Sequence, residues 1–170
     1  MPKDAAGKLG AVIVIHENRG LNPQIKDVTR RMALEGFVAF GPDFLTPLGG
    51  TPEDADKARD MIGTLKPEDV AAMSKAVRAG LAAHEKVNGK VGAIGFCWGG
   101  GQVNALAVGD PDLAAGVAYY GRQAVAADVV SIKAPLMLHY ASLDERINAG
   151  IADFEAALKA AGKTYELHMY

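Results

Sequence analysis

The chain has 170 residues, 49% of them hydrophobic and 22% charged, which is enough for one globular domain with a substantial core. Its net charge of −2 gives no electrostatic reason to expect binding to nucleic acid or to an anionic membrane. The single cysteine excludes an intramolecular disulfide, no metal-ligand cluster is visible, and no apolar run reaches the roughly 18 residues that a membrane span needs.

Strand and helix patterns alternate along the chain. Continuous apolar runs such as 11–15 are typical of strands buried on both faces of a parallel sheet. Apolar residues spaced three and four apart, after the capping residues Asn22 and Thr51, indicate amphipathic helices. The predicted strands are residues 11–15, 37–40, 91–94, 115–120, 136–140 and 165–170, and the predicted helices are 23–35, 52–65, 67–84, 102–108 and 148–161.

The segments between these elements are predicted to be turns and loops. Residues 88–89 read as a turn, and residues 123–133 as an irregular excursion. The loop 44–51 is expected to lie over the mouth of a pocket, with three apolar side chains that look exposed: Phe44, Leu45 and Leu48.

This alternation predicts a single α/β domain over residues 1–170, with an open, mostly parallel sheet and helices on both faces. In such sheets the functional site lies at the carboxyl ends of the strands. The polar or reactive residues at those ends are His16, Glu17, Asn18, Asp43, Cys97, Tyr120, Arg122, Ser142, Asp144 and Glu145.

The segment 95–101 (GFCWGGG) follows an apolar strand and precedes a predicted helix. Strand, Gly-x-nucleophile-x-Gly and helix together form a nucleophile elbow, here with Cys97 in place of serine. Glycines flank the nucleophile because the tight turn leaves no room for side chains. The helix then points its positive end at the sulfur and at any oxyanion. The alternative is a buried structural cysteine in a glycine-rich turn.

Five motifs in order extend this pattern: HENRGLN at 16–22, PDF at 42–44, GFCWGG at 95–100, AYYG at 118–121 and SLDERI at 142–147. Together they resemble the dienelactone hydrolases, also called carboxymethylenebutenolidases, over about residues 11–170. The resemblance implies the α/β-hydrolase fold, a Cys-Asp-His triad and hydrolysis of a small unsaturated lactone that carries a carboxylate. It implies no cofactor, and the expected partner is a small-molecule ester or lactone.

The resemblance also assigns roles to residues. It makes Cys97 the nucleophile and Asp144 the triad acid, and Glu17 resembles an extra carboxylate that can meet the thiol when substrate is absent. The backbone N–H groups of Trp98 and Asn18 would form the oxyanion hole. The elbow independently requires one N–H just after the nucleophile and one from the loop after an early strand.

Simpler interpretations exist for several of these residues. Asp144 could be a surface acid before a helix, and Glu17 a solvated loop carboxylate. Tyr120 either lines the pocket or only packs, and Arg59 is a loose match for an arginine that binds the substrate anion. Arg122 is interpreted as a surface charge with a small chance of contacting such an anion.

The chain departs from the family at its ends. The family has strands before the segment equivalent to Ala11, and its triad histidine follows the strand that here ends at Tyr170. The chain is therefore expected to be incomplete at both ends, without the first strands and the last histidine loop and helix. The triad histidine is not present in this chain. An exposed strand edge beside 37–40 is expected to favour self-association.

The histidines that are present have other interpretations. His16 is expected to pack or hydrogen-bond, and His139 to be a satisfied core histidine. His168 could replace the missing base only if the last strand frayed.

The leading hypothesis is a hydrolase of small esters or lactones that forms an acyl-enzyme on cysteine. The alternatives are an inactive fragment or pseudo-enzyme that only binds small carboxylates, and a related esterase or thioesterase. Since Lys3, Asp4 and Lys8 interrupt any apolar leader, a cytoplasmic location is the simplest expectation.

Overall fold

The computed structural model describes Met1 and residues 7–170, and its centre is one six-stranded sheet. The strands are β1 (Leu9–Ile15), β2 (Val38–Phe40), β3 (Val87–Phe96), β4 (Gly116–Tyr119), β5 (Leu136–Tyr140) and β6 (Tyr165–Met169), and every neighbouring pair is parallel. The helices in this part of the chain are α1 (Pro23–Leu34), α2 (Ala55–Gly63), α3 (Pro67–Ala83), α4 (Trp98–Gly109), α5 (Glu145–Asn148) and α6 (Ile151–Ala160), with 3₁₀ turns at Thr46–Leu48 and Ala126–Ser131. Not one of these described helices has the length and hydropathy of a membrane span.

The strand order β2-β1-β3-β4-β5-β6 determines where a site can form. After β1 the chain moves outward to β2, and it then returns to the other side of β1 as β3. In open parallel sheets, ligands bind outside the carboxyl ends of the strands at such a reversal. The residues that follow β1 and β3, including His16 and Cys97, therefore lie where a site is expected.

Helices cover both faces of the sheet, which confirms the predicted α/β architecture. On one face, Ile25 of α1 packs against Val14 and Ile94. On the other face, α3, α4 and α6 share a core with Ile13 and Ile15. Successive residues of a strand point to opposite faces, so a continuous apolar run is the pattern that a strand covered on both sides requires.

The start of α2 differs from the prediction, which placed it at residue 52 with Thr51 as the cap. The helix begins at Ala55, and Asp54 is the N-cap, accepting hydrogen bonds from the N–H groups of Asp56 and Lys57. The Thr51 hydroxyl instead donates to Asp43 Oδ1 (2.8 Å) and accepts from the N–H of Leu21 (2.8 Å). Thr51 therefore links the loop that contains Leu21 to the loop that contains Asp43.

Other boundaries were also predicted wrongly, among them the start of α4, which is Trp98 rather than residue 102. Residues 88–89 belong to β3, where Gly89 has a φ of 84° and the pairing with β1 shifts between Leu9 and Ala11, so the pair is a strand irregularity rather than a turn. The predicted helix 148–161 begins only at Ile151, because Asn148 is the last residue of a separate short helix, α5, which Asp144 caps.

The prediction that Phe44 and Leu45 are exposed was also wrong. Phe44 is 1% exposed and Leu45 is fully buried, whereas Leu48 does lie at the surface. Leu45 packs with Ala58 and Ile62 of α2 in a small separate cluster. The loop 44–51 is thus anchored by its apolar side chains rather than presenting them to a pocket.

The edge strand β2 provides a test of self-association. Phe40 on this strand is 45% exposed, and the outer side of β2 pairs with no other described strand, which is an arrangement that favours pairing between molecules. We expect concentrated protein to self-associate, and Phe40→Lys to shift it towards monomer in light scattering. Leu143→Lys is the matched control, since Leu143 is 93% exposed in a loop. Monomeric wild-type protein, or an equal effect of both variants, would contradict a contact at β2.

Candidate active site

Cys97 lies in a strained turn between β3 and α4. Its backbone has φ 53° and ψ −115°, a region that residues with a side chain rarely adopt. Hydrogen bonds fix both sides of the turn: the Cys97 N–H donates to Tyr119 O (3.0 Å), and the Gly101 N–H donates to Cys97 O (3.2 Å). Strain of this kind persists only where the surrounding structure enforces it, and it concentrates at functional sites.

The glycines around Cys97 are required by close backbone contacts. A Cβ atom on Gly95 would overlap the carbonyl group of Gly99, and a Cβ on Gly99 would overlap the carbonyl oxygens of Ile15 and His16. The first turn of α4 can therefore lie directly against the end of β1. This contact places Cys97 and Trp98 next to the loop that begins at His16.

Two backbone amides are available near the cysteine. Trp98 is the first residue of α4, so its N–H has no carbonyl partner within the helix. Asn18 lies in the turn closed by the bond from Gly20 N–H to Glu17 O (3.3 Å). Within the described part of the chain, neither the Trp98 nor the Asn18 N–H donates to another group. These are the two amides that the sequence predicts for an oxyanion hole.

His16 is fully buried and ties this loop to its surroundings. Its Nδ1 lies 2.7 Å from Glu17 O, and its Nε2 accepts from the Phe44 N–H at 3.2 Å. The ring stacks on Trp98 at 5.3 Å and meets Phe44 edge-on at 5.5 Å. Burial lowers the pKa of His16, and only the neutral ring with its proton on Nδ1 can make both hydrogen bonds.

Glu17, Tyr120 and Cys97 form a cluster at the strand ends. The Tyr120 hydroxyl donates to Glu17 Oε1 at 3.1 Å. Burial, followed by the Glu17 charge and hydrogen bond and then the Cys97 charge, raises the pKa of Tyr120 to about 12. Tyr120 therefore stays protonated near neutral pH, and its hydroxyl remains a donor that orients the Glu17 carboxylate.

Asp144 lies after β5 and directly before the helix α5, as the simpler interpretation of an acid before a helix expects. Its Oδ1 accepts from the Ile147 N–H at 3.1 Å and caps α5. In the part of the chain that the structure describes, Oδ2 has no hydrogen-bond partner. Asn148 holds the same loop through bonds to the carbonyls of Ala141 (2.8 Å) and Ser142 (3.2 Å). The carboxylate is thus fixed by one oxygen, and the other is available to a donor.

Cys97 and Trp98 open into a cleft of about 840 Å³. Its walls come from α4, α6 and the segment after β4, and they include Gln102, Ala105, Val108, Arg122, Val125, Asp128, Asp153 and Phe154. Arg59 is not among the lining residues, because its guanidinium is paired with Asp56 (3.2 Å) and Asp60 (3.0 Å) on the exposed side of α2. Its role in binding an anion stays a prediction.

The remaining histidines lie away from the cleft. His139 stacks between Tyr119 (4.3 Å) and His168 (5.1 Å), and its Nδ1 contacts the Tyr170 hydroxyl at 3.1 Å. His168 also lies 3.3 Å from Glu166. Neither ring lines the cleft, and no group of three potential metal ligands occurs among the described residues.

The structure confirms the prediction that His16 packs or hydrogen-bonds, but the sequence did not identify its partners Phe44 and Trp98. A histidine directly after a buried strand, followed by an acidic residue, was the available signal. It could not identify Phe44 as the partner, because the two residues are 28 positions apart.

Comparison with known proteins gives a consistent result. A model of the dienelactone hydrolase family matches residues 1–170. A candidate carboxymethylenebutenolidase from Saccharolobus solfataricus is 31% identical over 94% of this chain and 76% of its own length. A candidate hydrolase fragment from Escherichia coli K12 is 52% identical over 60 residues, which are 35% of this chain and 51% of that protein. The chain thus spans about half to three quarters of the length of these relatives.

A solved structure agrees with the sequence comparisons. A crystal structure of a candidate dienelactone hydrolase from Klebsiella pneumoniae superposes with a TM-score of 0.88 at 29% sequence identity. The superposition covers 99% of this chain and 76% of that chain.

The neutral state of His16 predicts how stability depends on pH. The unfolded state takes up a proton near the ordinary pKa of 6.5, while the buried ring resists it, so the free energy of unfolding should fall as pH drops below 6.5. Each unit by which the native pKa is lowered contributes about 1.4 kcal/mol to this loss. His16→Gln should be less stable at pH 7.5 but lose less stability by pH 5.5, as measured by urea unfolding.

His84→Gln is the matched control, since His84 is exposed at the end of α3. It should retain the wild-type change between the two pH values. An unchanged pH dependence in His16→Gln would show that His16 is not held neutral. His139, whose pKa burial also lowers, contributes to the dependence that remains in that variant.

Proposed function

Because the chain belongs to the dienelactone hydrolase family, we propose that it hydrolyses a small ester or lactone with Cys97 as the nucleophile. The observation that carries this proposal is the backbone of Cys97. A non-glycine residue at φ 53° lies between a strand and a helix and lines an open cleft. This is the arrangement that a nucleophile elbow requires.

The first half of the reaction is acyl transfer to sulfur. The sulfur of Cys97 attacks the acyl carbon, and the carbonyl oxygen takes up the negative charge facing the amides of Trp98 and Asn18. The bond from the acyl carbon to the leaving oxygen then breaks, and that oxygen departs with the bonding electron pair. The acyl group remains on Cys97 as a thioester. A leaving group that is stable as an anion needs no proton at this step.

In the proposal, Glu17 and Tyr120 control whether the Cys97 sulfur carries a proton. Glu17 is the carboxylate of the Cys97 cluster, and Tyr120 fixes its orientation through a 3.1 Å hydrogen bond. In the proposal, Glu17 takes the thiol proton when Cys97 attacks. The protonated carboxyl group is neutral and does not repel the developing oxyanion, and the Tyr120 hydroxyl keeps Glu17 in position.

The second half of the reaction needs a water molecule that has lost its proton. In the triad that the family resemblance implies, a histidine removes this proton and Asp144 orients the histidine. The Oδ2 atom of Asp144 is suited to this task because Oδ1 already caps α5. Only Tyr170 follows β6 within residues 1–170, which therefore do not include the position that the family resemblance gives to this histidine.

A burst experiment tests the proposal on residues 1–170. With a nitrophenyl ester, we expect at most one nitrophenolate per Cys97 in a fast phase and very slow release afterwards. Acylation does not need the triad histidine, because a thiol forms some thiolate near neutral pH and Glu17 can take its proton, whereas hydrolysis of the thioester needs an activated water. Cys97→Ala should abolish the fast phase. Absence of a burst in the wild type would contradict acylation of Cys97.

The role of Asp144 is tested in an extended chain. Fusion of a histidine-bearing loop and helix from a longer relative after Tyr170 should convert the burst into steady turnover. Asp144→Asn in that fusion should reduce kcat by about 10⁴-fold, the scale for loss of a triad acid. Asp69→Asn, at the exposed start of α3, is the control that should leave kcat unchanged. Steady turnover by residues 1–170 alone would contradict the need for this base.

A further inference from the structure

We propose that His16 is a positioning residue for the candidate oxyanion hole, because its ring sets the direction in which the backbone N–H of Asn18 points. The catalytic part of this inference rests on the proposed function, in which that N–H faces the oxyanion of the acyl-transfer step. Its geometric part is separate, because it concerns only the hydrogen bonds and ring contacts of one buried side chain.

The backbone of Phe44 determines which nitrogen of His16 carries the proton. The Phe44 N–H donates to Nε2 at 3.2 Å, so Nε2 carries no proton. Burial lowers the pKa of the His16 ring and outweighs the opposing charge of Asp43, so the ring is neutral and its one proton is on Nδ1. Nδ1 therefore donates to Glu17 O at 2.7 Å.

This hydrogen bond acts on the peptide group that contains the Asn18 N–H. The carbonyl of Glu17 and the N–H of Asn18 belong to one planar unit, in which they point in opposite directions. A carbonyl fixed towards His16 therefore fixes the N–H on the other side. Within the described residues, Glu17 O has one other donor, the N–H of Gly20 at 3.3 Å, which is the longer and weaker bond.

The same hydrogen bond makes the Asn18 N–H a better donor. Hydrogen bonds in series polarise one another, and they are electrostatically stronger where water is excluded. The series here begins at the Phe44 N–H, passes through the ring of His16, which is fully buried, and reaches the peptide group of Glu17 and Asn18. The charge that develops on a bound carbonyl oxygen would thus meet a donor that is both oriented and polarised.

His16 also contacts the residues around the second amide of the proposed hole. Its ring stacks on the Trp98 ring at 5.3 Å with an interplanar angle of 16°, and Phe44 meets both rings edge-on at 5.5 Å. Its carbonyl oxygen lies against Gly99, where a Cβ would overlap it. One side chain and its backbone therefore hold the Asn18 amide and the first turn of α4 in a fixed relation.

Two amide side chains separate the two hydrogen bonds of the ring. In His16→Asn, the side-chain nitrogen falls near the position of Nδ1 and can still donate to Glu17 O, but no atom reaches Phe44. In His16→Gln, the side-chain oxygen reaches the position of Nε2 and can accept from the Phe44 N–H, but Glu17 O loses its donor. Both variants lose the ring that stacks on Trp98, so they form a matched pair.

The ratio of two reactions at Cys97 isolates the oxyanion hole. With a nitrophenyl ester, attack by the sulfur places negative charge on the carbonyl oxygen before nitrophenolate leaves. With iodoacetamide, the sulfur displaces iodide from a saturated carbon, and no oxyanion forms. The ratio of the acylation to the alkylation rate constant therefore cancels the reactivity of the thiol itself.

We expect this ratio to fall about tenfold to 100-fold in His16→Gln and by less than about threefold in His16→Asn, since loss of a whole oxyanion donor costs about 10²- to 10³-fold. His84→Gln, at an exposed position, is the control that should leave the ratio unchanged. Circular dichroism and the iodoacetamide rate show that each variant is folded.

Equal falls in the two His16 variants would show that the ring acts only through packing, and they would overturn the proposal, as would an unchanged ratio in His16→Gln. A larger fall in His16→Asn would overturn it in favour of the contact with Phe44. If neither variant folds, ¹⁵N NMR of histidine-labelled wild-type protein decides. A proton on Nδ1 of His16 supports the proposal, and a proton on Nε2 overturns it.

Backbone amide NMR separates this inference from the proposed function. If no ester acylates Cys97 but the Asn18 amide signal moves far more in His16→Gln than in His16→Asn, the hydrolase proposal fails and His16 still positions this amide. If the signal moves equally in both variants, the positioning role fails as well. If esters acylate Cys97 and the rate ratio is unchanged in His16→Gln, the positioning role fails and the hydrolase proposal stands.

Discussion

The site depends on one close contact, between the first turn of α4 and the carboxyl end of β1. The contact exists because Gly95 and Gly99 have no side chains, and a single methyl group on Gly99 would overlap the carbonyl oxygens of Ile15 and His16. It forces Cys97 into its left-handed backbone conformation and brings the Trp98 amide to the loop that carries Glu17 and Asn18. Backbone sterics, rather than a side-chain interaction, thus assemble the candidate nucleophile with its amides.

Two side chains beside this contact hold the loop after β1 in place. The first is His16, whose neutral ring is hydrogen-bonded to Glu17 and Phe44 and stacked on Trp98. Tyr120 adds a second restraint through Glu17. A change in the charge of His16 would therefore disturb Asn18 and Trp98 together, which links the stability of the loop to the geometry of the proposed oxyanion hole.

Features that depend on residues close together in the sequence could be predicted, whereas features that depend on distant residues could not. The strands and the elbow were predictable because a buried strand and a Gly-x-Cys-x-Gly turn depend on neighbouring residues, as at 91–101. Phe44 and Leu45 were misjudged because their burial depends on Trp98 and on α2, which are distant in sequence.

Transfer of an acyl group to Cys97 Sγ, as we propose it, changes the mass of the protein after reaction with an ester. Residues 1–170 are treated with a nitrophenyl ester and quenched in acid, and the intact protein and its peptides are then analysed by mass spectrometry. We expect one added acyl group, carried by the peptide that contains Cys97 and absent from Cys97→Ala. An unmodified wild-type chain, or the same adduct on another residue in Cys97→Ala, would contradict it.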